Sequence, residues 1–450
     1  MSCMSGLSNL LPTLLLFCAA ASAQQPASPT YFSVPPPDAP ELASRGSYKV
    51  GVRTIDIVNP NQVDILRFDK TSGKAPLSDR KFKVEIWYPA IIPAGKEEHT
   101  VYQTEDPANH QPPLQGKALR DASPVTGEKF PLVIVSHGYP GSRTLLTYLT
   151  ENLASKGYVV AAIDHTDSVL GAVKGFESTL LNRASDQLFT IQSIRELAAA
   201  HDSFLYGLPD LNKIAIVGYS MGGYGALTTA GAGLNKKSGI AQFVPGDYLQ
   251  DWMADSPKFQ ALDRSAIKAM VAIAPWGEQP PQSAWDRKGL AGIHIPSLFI
   301  VGDHDDVADF EQGVKPAFQQ AVNSERYMLV YENARHNTGG NPAVPGSVLD
   351  YNGMENMYEP VWRKERIISI NQHFITAFLD LYLKGVEGRR AYLRVQPVRS
   401  DDAKWELPRG RHDDSAFSTG MDAHGNPFWK GFQRRWALGL EMYYLPASVK

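Results

Sequence analysis

Lys213-Ile214-Ala215-Ile216-Val217-Gly218-Tyr219-Ser220-Met221-Gly222-Gly223-Tyr224-Gly225-Ala226-Leu227 is the stretch that decides the fold. The apolar run 214–217 reads as a buried strand, and the small-residue run after Met221 reads as a helix. Between them, Gly218-Tyr219-Ser220-Met221-Gly222 makes a sharp turn. Glycines are needed there because the backbone is strained and neighbouring chains pass close. Such a turn holds the Ser220 hydroxyl exposed at the head of a helix. The five-residue pattern is common by chance, and its plain alternative is a Gly-rich turn that lets a helix pack on a sheet. A strand before it and a helix after it favour a nucleophile.

A serine hydroxyl is a poor nucleophile at neutral pH and needs a base, which in turn needs an orienting acid. On a strand–turn–helix architecture the acid and then the histidine follow the serine. The apolar run 297–301 ends in Gly302-Asp303-His304-Asp305-Asp306, and the run 326–331 ends in Glu332-Asn333-Ala334-Arg335-His336-Asn337. Both groups stand just past the C-terminal end of a strand, where open α/β sheets bind ligands. Asp305 is the expected acid, with Asp303 and Asp306 as weaker neighbours. A solvated acidic loop, or a cation site built from His304, Asp305, Asp306 and Asp309, is the other reading. No second histidine stands at helical ligand spacing, so no metal is expected. His336 is the expected base. His373 is its chief competitor, but it falls inside a helical pattern. The run 132–136 feeds His137-Gly138-Tyr139-Pro140-Gly141, a loop that can aim a backbone N–H at a developing oxyanion. Tyr139 and Met221 are the expected main-chain donors, since Pro140 has no N–H. A plain Gly-Pro turn is the alternative there.

These segments together resemble the α/β-hydrolase-fold serine esterases, in particular the group of platelet-activating-factor acetylhydrolase-like and dienelactone-hydrolase-like proteins. The resemblance covers roughly residues 45–395 and rests on the 137–141 loop, the run 149–164, the Ser220 elbow and the 332–337 segment. It implies a Ser220–His336–Asp305 triad, an oxyanion hole from Tyr139 and Met221, and no cofactor. The Tyr139 and Met221 pair also resembles cutinase-like polyester hydrolases, which are much shorter. Two departures matter. Dienelactone hydrolases use cysteine where Ser220 stands, so their lactone substrate does not carry over. In the acetylhydrolases the acid follows the strand after the nucleophile helix. Here that strand, 269–274, runs into Pro275-Trp276-Gly277-Glu278, which leaves Glu278 as a rival acid.

Composition agrees with such an enzyme. The 450 residues are 43% apolar and 20% charged, which fits a globular protein with room for inserts. A net charge of -3 gives no reason to expect nucleic acid or an anionic membrane surface as a partner. The N-terminus reads as a cleavable signal peptide over 1–23. Its apolar core, 10–21, is short for a membrane span, and Ala21-Ser22-Ala23 is a small-x-small cleavage site. The segment has no Lys or Arg, unlike most such leaders. Cys18 would suit a lipoprotein site, but Phe17 before it is too bulky. Both cysteines, Cys3 and Cys18, lie in the leader, so the mature chain would carry no disulfide. A secreted or periplasmic location follows.

Beyond the leader, 24–44 is rich in Pro, Ala and Ser and is expected to be disordered. The catalytic domain is expected over 45–395. Strands are predicted at 48–58 and 82–88 as antiparallel edge strands, then at 132–136, 158–163, 213–217, 269–274, 297–301 and 326–331. Helices are predicted at 145–156, 185–206 and 362–383. This alternation predicts a mostly parallel central sheet with helices on both faces. The insert 235–264 is a candidate lid, carrying Phe243, Tyr248, Trp252, Met253 and Phe259. The extension 396–450 has too many aromatics for a free tail and is expected to pack on the domain. Apolar inserts near a catalytic serine favour an acyl or aromatic ester, small or polymeric, as substrate. A peptidase with the same triad, and a non-catalytic binding module on the same fold, are the rival classes.

Overall fold

The computed structural model describes residues 30–102, 112–403, 428–433 and 435–448. The leader and part of the C-terminal extension lie outside them. β1 (Lys49–Val63) and β2 (Leu77–Ile91) form a long antiparallel hairpin. Six parallel strands follow: β3 (Phe130–Ser136), β4 (Val159–Ile163), β5 (Pro209–Tyr219), β6 (Ile267–Ile273), β7 (Ser297–Gly302) and β8 (Arg326–Tyr331). β9 (Leu440–Leu445) closes the far edge antiparallel to β8. The order across the sheet is β9-β8-β7-β6-β5-β3-β4-β2-β1, with the short strands Leu119–Arg120 and Ser123–Pro124 beside β1 and β2.

Alternation along the strands sends side chains to opposite faces, and both faces are covered. Val133, Val135, Ala215, Val217, Val271, Leu298 and Ile300 pack with α1 (Thr147–Ser155) and a long helix, Lys364–Lys384. Leu132, Ile134, Ile214, Ile216, Met270, Phe299 and Val301 pack with α2 (Phe176–Ala199) and α3 (Met221–Ala230). A sheet buried on both sides needs strands that are apolar throughout, which is how these runs read. The architecture is the mostly parallel α/β sheet expected from the alternation.

Strand order reverses at β3. The chain steps from β3 to β4 on one side, then returns to place β5 on the other. Open α/β sheets bind ligands outside the carboxyl ends of strands at such a switch point. The register sets Ser136 beside Gly218, so the loop after β3 and the turn after β5 leave the sheet side by side.

Three segments differ from the sequence reading. α2 begins at Phe176, well before 185, and ends at Ala199. Its first turns bury Asn182, Arg183 and Asp186 beside Leu180 and Leu181, and the polar residues break the apolar periodicity there. The lead expected to be disordered is packed from Tyr31 onward. Phe32 and Leu42 enter the core, Ser33 donates to Glu151, and the Leu42 N–H donates to His373 Nδ1. A few apolar anchors and satisfied polar groups outweigh the composition there. Of the two strands expected at the sheet's edge, β2 is interior, flanked by β4 and β1.

The close approach at the head of α3 yields a test. A Cβ on Gly222 would stand 2.0 Å from the Ser136 carbonyl oxygen, which is backbone and cannot swing aside. Gly222→Ala is expected to destabilise the protein by about 1–3 kcal/mol or more. A shift of the urea unfolding midpoint reads this directly; an unchanged midpoint would contradict the packing described.

Candidate active site

Ser220 is the N-cap of α3 and has φ 53° and ψ -115°. A non-glycine residue with positive φ stores about 1–3 kcal/mol of strain, and the surrounding structure must hold it. Here the Ser220 N–H donates to the Ile273 carbonyl, and its own carbonyl accepts from Tyr224 and Trp276. The turn thus lifts the side chain out of the sheet's end.

The structure brings Ser220, His336 and Asp305 together from the ends of β5, β8 and β7. His336 Nε2 lies 3.0 Å from Ser220 Oγ. His336 Nδ1 lies 2.9 Å and 3.0 Å from the two Asp305 oxygens. With a carboxylate at Nδ1, that nitrogen carries the proton and Nε2 is free to accept from the serine. Asp305 Oδ1 also accepts the N–H groups of Val307 and Ala308, at 2.9 and 2.8 Å, which fixes the carboxylate. The Asp305 side chain is fully buried, and that of His336 is 12% exposed.

The other titratable groups of these loops have separate partners. Asp303 bonds His304, Asp306 pairs with Arg335, and Asp309 caps the turn at Gln312. His373 is buried in the long helix and accepts from Leu42. Glu278 accepts the Trp285 N–H, and burial pushes its carboxyl up to about 7.

The 137–141 loop passes directly over the elbow. A Cβ on Gly138 would meet the Ser220 Cβ at 3.3 Å. Tyr139 is the next residue, and Met221 opens α3 beyond the serine. Behind the loop lies a buried polar network that the sequence reading missed. His137 Nδ1 donates to the Gly138 carbonyl and its Nε2 accepts the His165 N–H. His165 bridges Ser136 and Asp186, each at 2.8 Å. Burial first, then the charge of Arg183, pushes both imidazoles well below the usual histidine range. Neutral His165 therefore donates from Nδ1 to Asp186 and accepts from the Ser136 hydroxyl. Arg80 binds Asp186 with two nitrogens and also reaches Asp167, while Arg183 donates to the His137 carbonyl.

One side of the site is aromatic. Phe176, at the start of α2, packs edge-on against Tyr139 at 5.0 Å, Trp276 at 5.4 Å and Phe243 at 5.9 Å. Phe243, on α4 (Gly239–Phe243), is the insert's contribution to this cluster and is 58% exposed. Tyr248 packs instead on Phe68 of the hairpin connection, and Trp252 on Phe259 within the insert.

Comparison with known proteins agrees with this architecture. Residues 112–198 match the family model of platelet-activating factor acetylhydrolase, isoform II. The solved ferulic acid esterase from Streptomyces cinnamoneus superposes with a TM-score of 0.52 at 20% identity, over 77% of this chain and 94% of that one. The chain has an α/β-hydrolase-like fold and is similar over part of its length to platelet-activating factor acetylhydrolase. Cutinase est1 of Thermobifida alba is 25% identical over 205 residues, 45% of this chain and 52% of its own length. A cutinase of Thermobifida fusca (strain YX) is 23% identical over 239 residues, 52% of this chain and 58% of its own. Canine platelet-activating factor acetylhydrolase is 39% identical over 71 residues, 16% of this chain and 14% of its own. The chain thus spans about half the length of the curated cutinases it matches first.

Glu278 gives a pH test of its burial. Its folded carboxyl titrates near 7, above the ordinary 4.5. The folded state therefore holds a proton that the unfolded chain releases. Stability is lost as pH rises from the unfolded value through the folded one, and the loss is complete above the folded value. Gln keeps an oxygen for the Trp285 N–H and removes the ionisation. Glu278→Gln is expected to raise the thermal midpoint at pH 8 and to leave it nearly unchanged at pH 5. An equal effect at both pH values would count against the buried carboxyl.

Proposed function

We propose that this protein is a secreted serine hydrolase that cleaves carboxylic esters through an acyl-enzyme. The observation that carries the reading is the unbroken chain from Ser220 Oγ through His336 to the Asp305 carboxylate. Ser220 Oγ attacks the ester carbonyl carbon while His336 Nε2 takes its proton. The carbonyl oxygen becomes an oxyanion facing the main-chain N–H groups of Tyr139 and Met221. The tetrahedral adduct collapses, the bond to the alcohol oxygen breaks, and His336 protonates the departing alkoxide. Water, deprotonated by His336, then attacks the acyl-enzyme, and the acid leaves as Ser220 regains its proton. Asp305 holds the imidazole tautomer and stabilises the cation. The residues of this chain carry every proton transfer without a cofactor.

The aromatic wall of Tyr139, Phe176, Trp276 and Phe243 favours an ester with an apolar or aromatic group beside the scissile bond. The cutinases and the ferulic acid esterase named above support an ester over an amide. Export rests on the leader read in residues 1–23.

Ser220→Ala is expected to abolish labelling by a fluorophosphonate probe and to lower turnover by about 10⁴ or more. Undiminished hydrolysis in that variant would refute the mechanism. Asp305→Asn should lower turnover by about 10³ to 10⁴, with Asp303→Asn, Asp306→Asn and Glu278→Gln far milder. A larger loss from Glu278→Gln would move the acid to the end of β6.

Activity on a soluble ester should fall reversibly on the acid limb of its pH profile, because a protonated Nε2 cannot accept the serine proton. His304→Ala and His373→Ala should keep this limb. A His304→Ala profile without it would displace His336 as the base. An ester and its isosteric amide assayed side by side separate an esterase from a peptidase.

A further inference from the structure

His336 sits in a loop whose backbone is held by side chains on every side. The Arg335 N–H donates to Glu359 Oε2 at 2.5 Å, and the Asn337 N–H donates to Glu359 Oε1 at 2.7 Å. One carboxylate therefore bridges the peptide groups on both sides of the histidine. The His336 carbonyl accepts from the Tyr219 hydroxyl at 3.2 Å, and the Asn337 carbonyl accepts from the Lys364 ammonium. The Tyr219 ring also stacks on the imidazole, 5.6 Å away and tilted 30°. Glu359 is 6% exposed and Lys364 2%.

Glu359 comes from the connection between α5 (Tyr351–Met357) and α6 (Lys364–Lys384). The Asn337 side-chain amide donates to the carbonyls of Glu355 on α5 and of Tyr358 in the same connection. Arg335 spans from Asp306, next to Asp305, to Glu355 of α5. The acid loop, the histidine loop and the start of α6 are thus tied into one unit.

Burying a carboxylate and an ammonium is costly, and apolar side chains could cover a loop at lower desolvation cost. What apolar packing cannot do is fix two peptide planes by direction. The imidazole must meet a rigid serine on one edge and a rigid carboxylate on the other. A drift of about 1 Å at such a site can cost about 10²-fold in rate. We propose that Glu359 is a positioning residue for His336: its carboxylate fixes the peptides flanking the histidine, with Tyr219 and Lys364 fixing the carbonyls, and so sets the imidazole between Ser220 and Asp305. The proposal rests on Ser220 and His336 acting as the nucleophile and base.

The test compares full-length wild type with Glu359→Gln, Tyr219→Phe and Glu151→Gln. Glu151 is an equally buried carboxylate on α1, and it bonds Ser33, Tyr102 and the Lys117 N–H. A Gln at 359 keeps one acceptor and turns an NH₂ toward the other peptide N–H. Steady-state kcat and KM on a soluble nitrophenyl ester, the fluorophosphonate labelling rate and the thermal midpoint are measured for each. Glu359→Gln is expected to lower kcat and the labelling rate together, by about 10- to 100-fold, with KM within about twofold. Tyr219→Phe should act in the same direction by a smaller factor. Glu151→Gln should lower the thermal midpoint and leave kcat in place.

A folded Glu359→Gln protein with wild-type kcat and labelling overturns the proposal. So does a loss confined to KM, or a loss matched by Glu151→Gln. If Glu359→Gln does not fold, Tyr219→Phe and Lys364→Met decide, and unchanged kcat in both overturns it. Wild type without Ser220-dependent labelling or hydrolysis would sink the hydrolase reading, and this proposal with it. Active wild type with indifferent Glu359 and Tyr219 variants would sink this proposal alone.

Discussion

Gly222 lies against the Ser136 carbonyl, and much of the structure depends on that contact. It lets the head of α3 slide under the end of β3, which brings the 137–141 loop over Ser220. The price is a strained serine backbone, and the strain is held by bonds to strand β6 and to the residues after it. Any side chain at 222 would push the helix from the strand and open the gap between the serine and the 137–141 loop. Sheet register, helix placement and site geometry are therefore one constraint.

The loops around the serine are held by buried charge, each by a different set. The 137–141 loop rests on His137, His165, Asp186 and Arg80, and the loop after β7 on the turn capped by Asp305 itself. The histidine loop rests on Glu359 and Lys364. Low local dielectric strengthens these bonds when all are satisfied and makes each costly to break. Buried polar groups thus gather around the carboxyl ends of the strands, while the six parallel strands are apolar through their middles on both faces.

The parallel strands are legible in the sequence because burial on both faces demands unbroken apolar runs. Ser220, Asp305 and His336 are legible because each follows such a run within a few residues. Glu359 is not, since Tyr358-Glu359-Pro360 carries no pattern and its partners are backbone N–H groups more than twenty residues away. The first turns of α2 are hidden for a related reason: their inward face mixes Leu180 and Leu181 with Asn182, Arg183 and Asp186, which read as surface. The packed lead at Phe32 and Leu42 is masked by its Pro-rich composition. Periodicity reports apolar burial, so polar burial is what it overlooks.

Strand β9 has a consequence for how the chain is made. It follows every other described strand in sequence, yet it covers the outer edge of β8 along the whole ladder from Arg326 to Tyr331. Until it arrives, β8 offers a row of unpaired N–H and C=O groups to any passing strand. A nascent or truncated chain therefore carries a sticky margin next to the segment bearing His336. Late closure of that margin makes β9 a safeguard against clumping during synthesis, quite apart from anything it does for the finished fold.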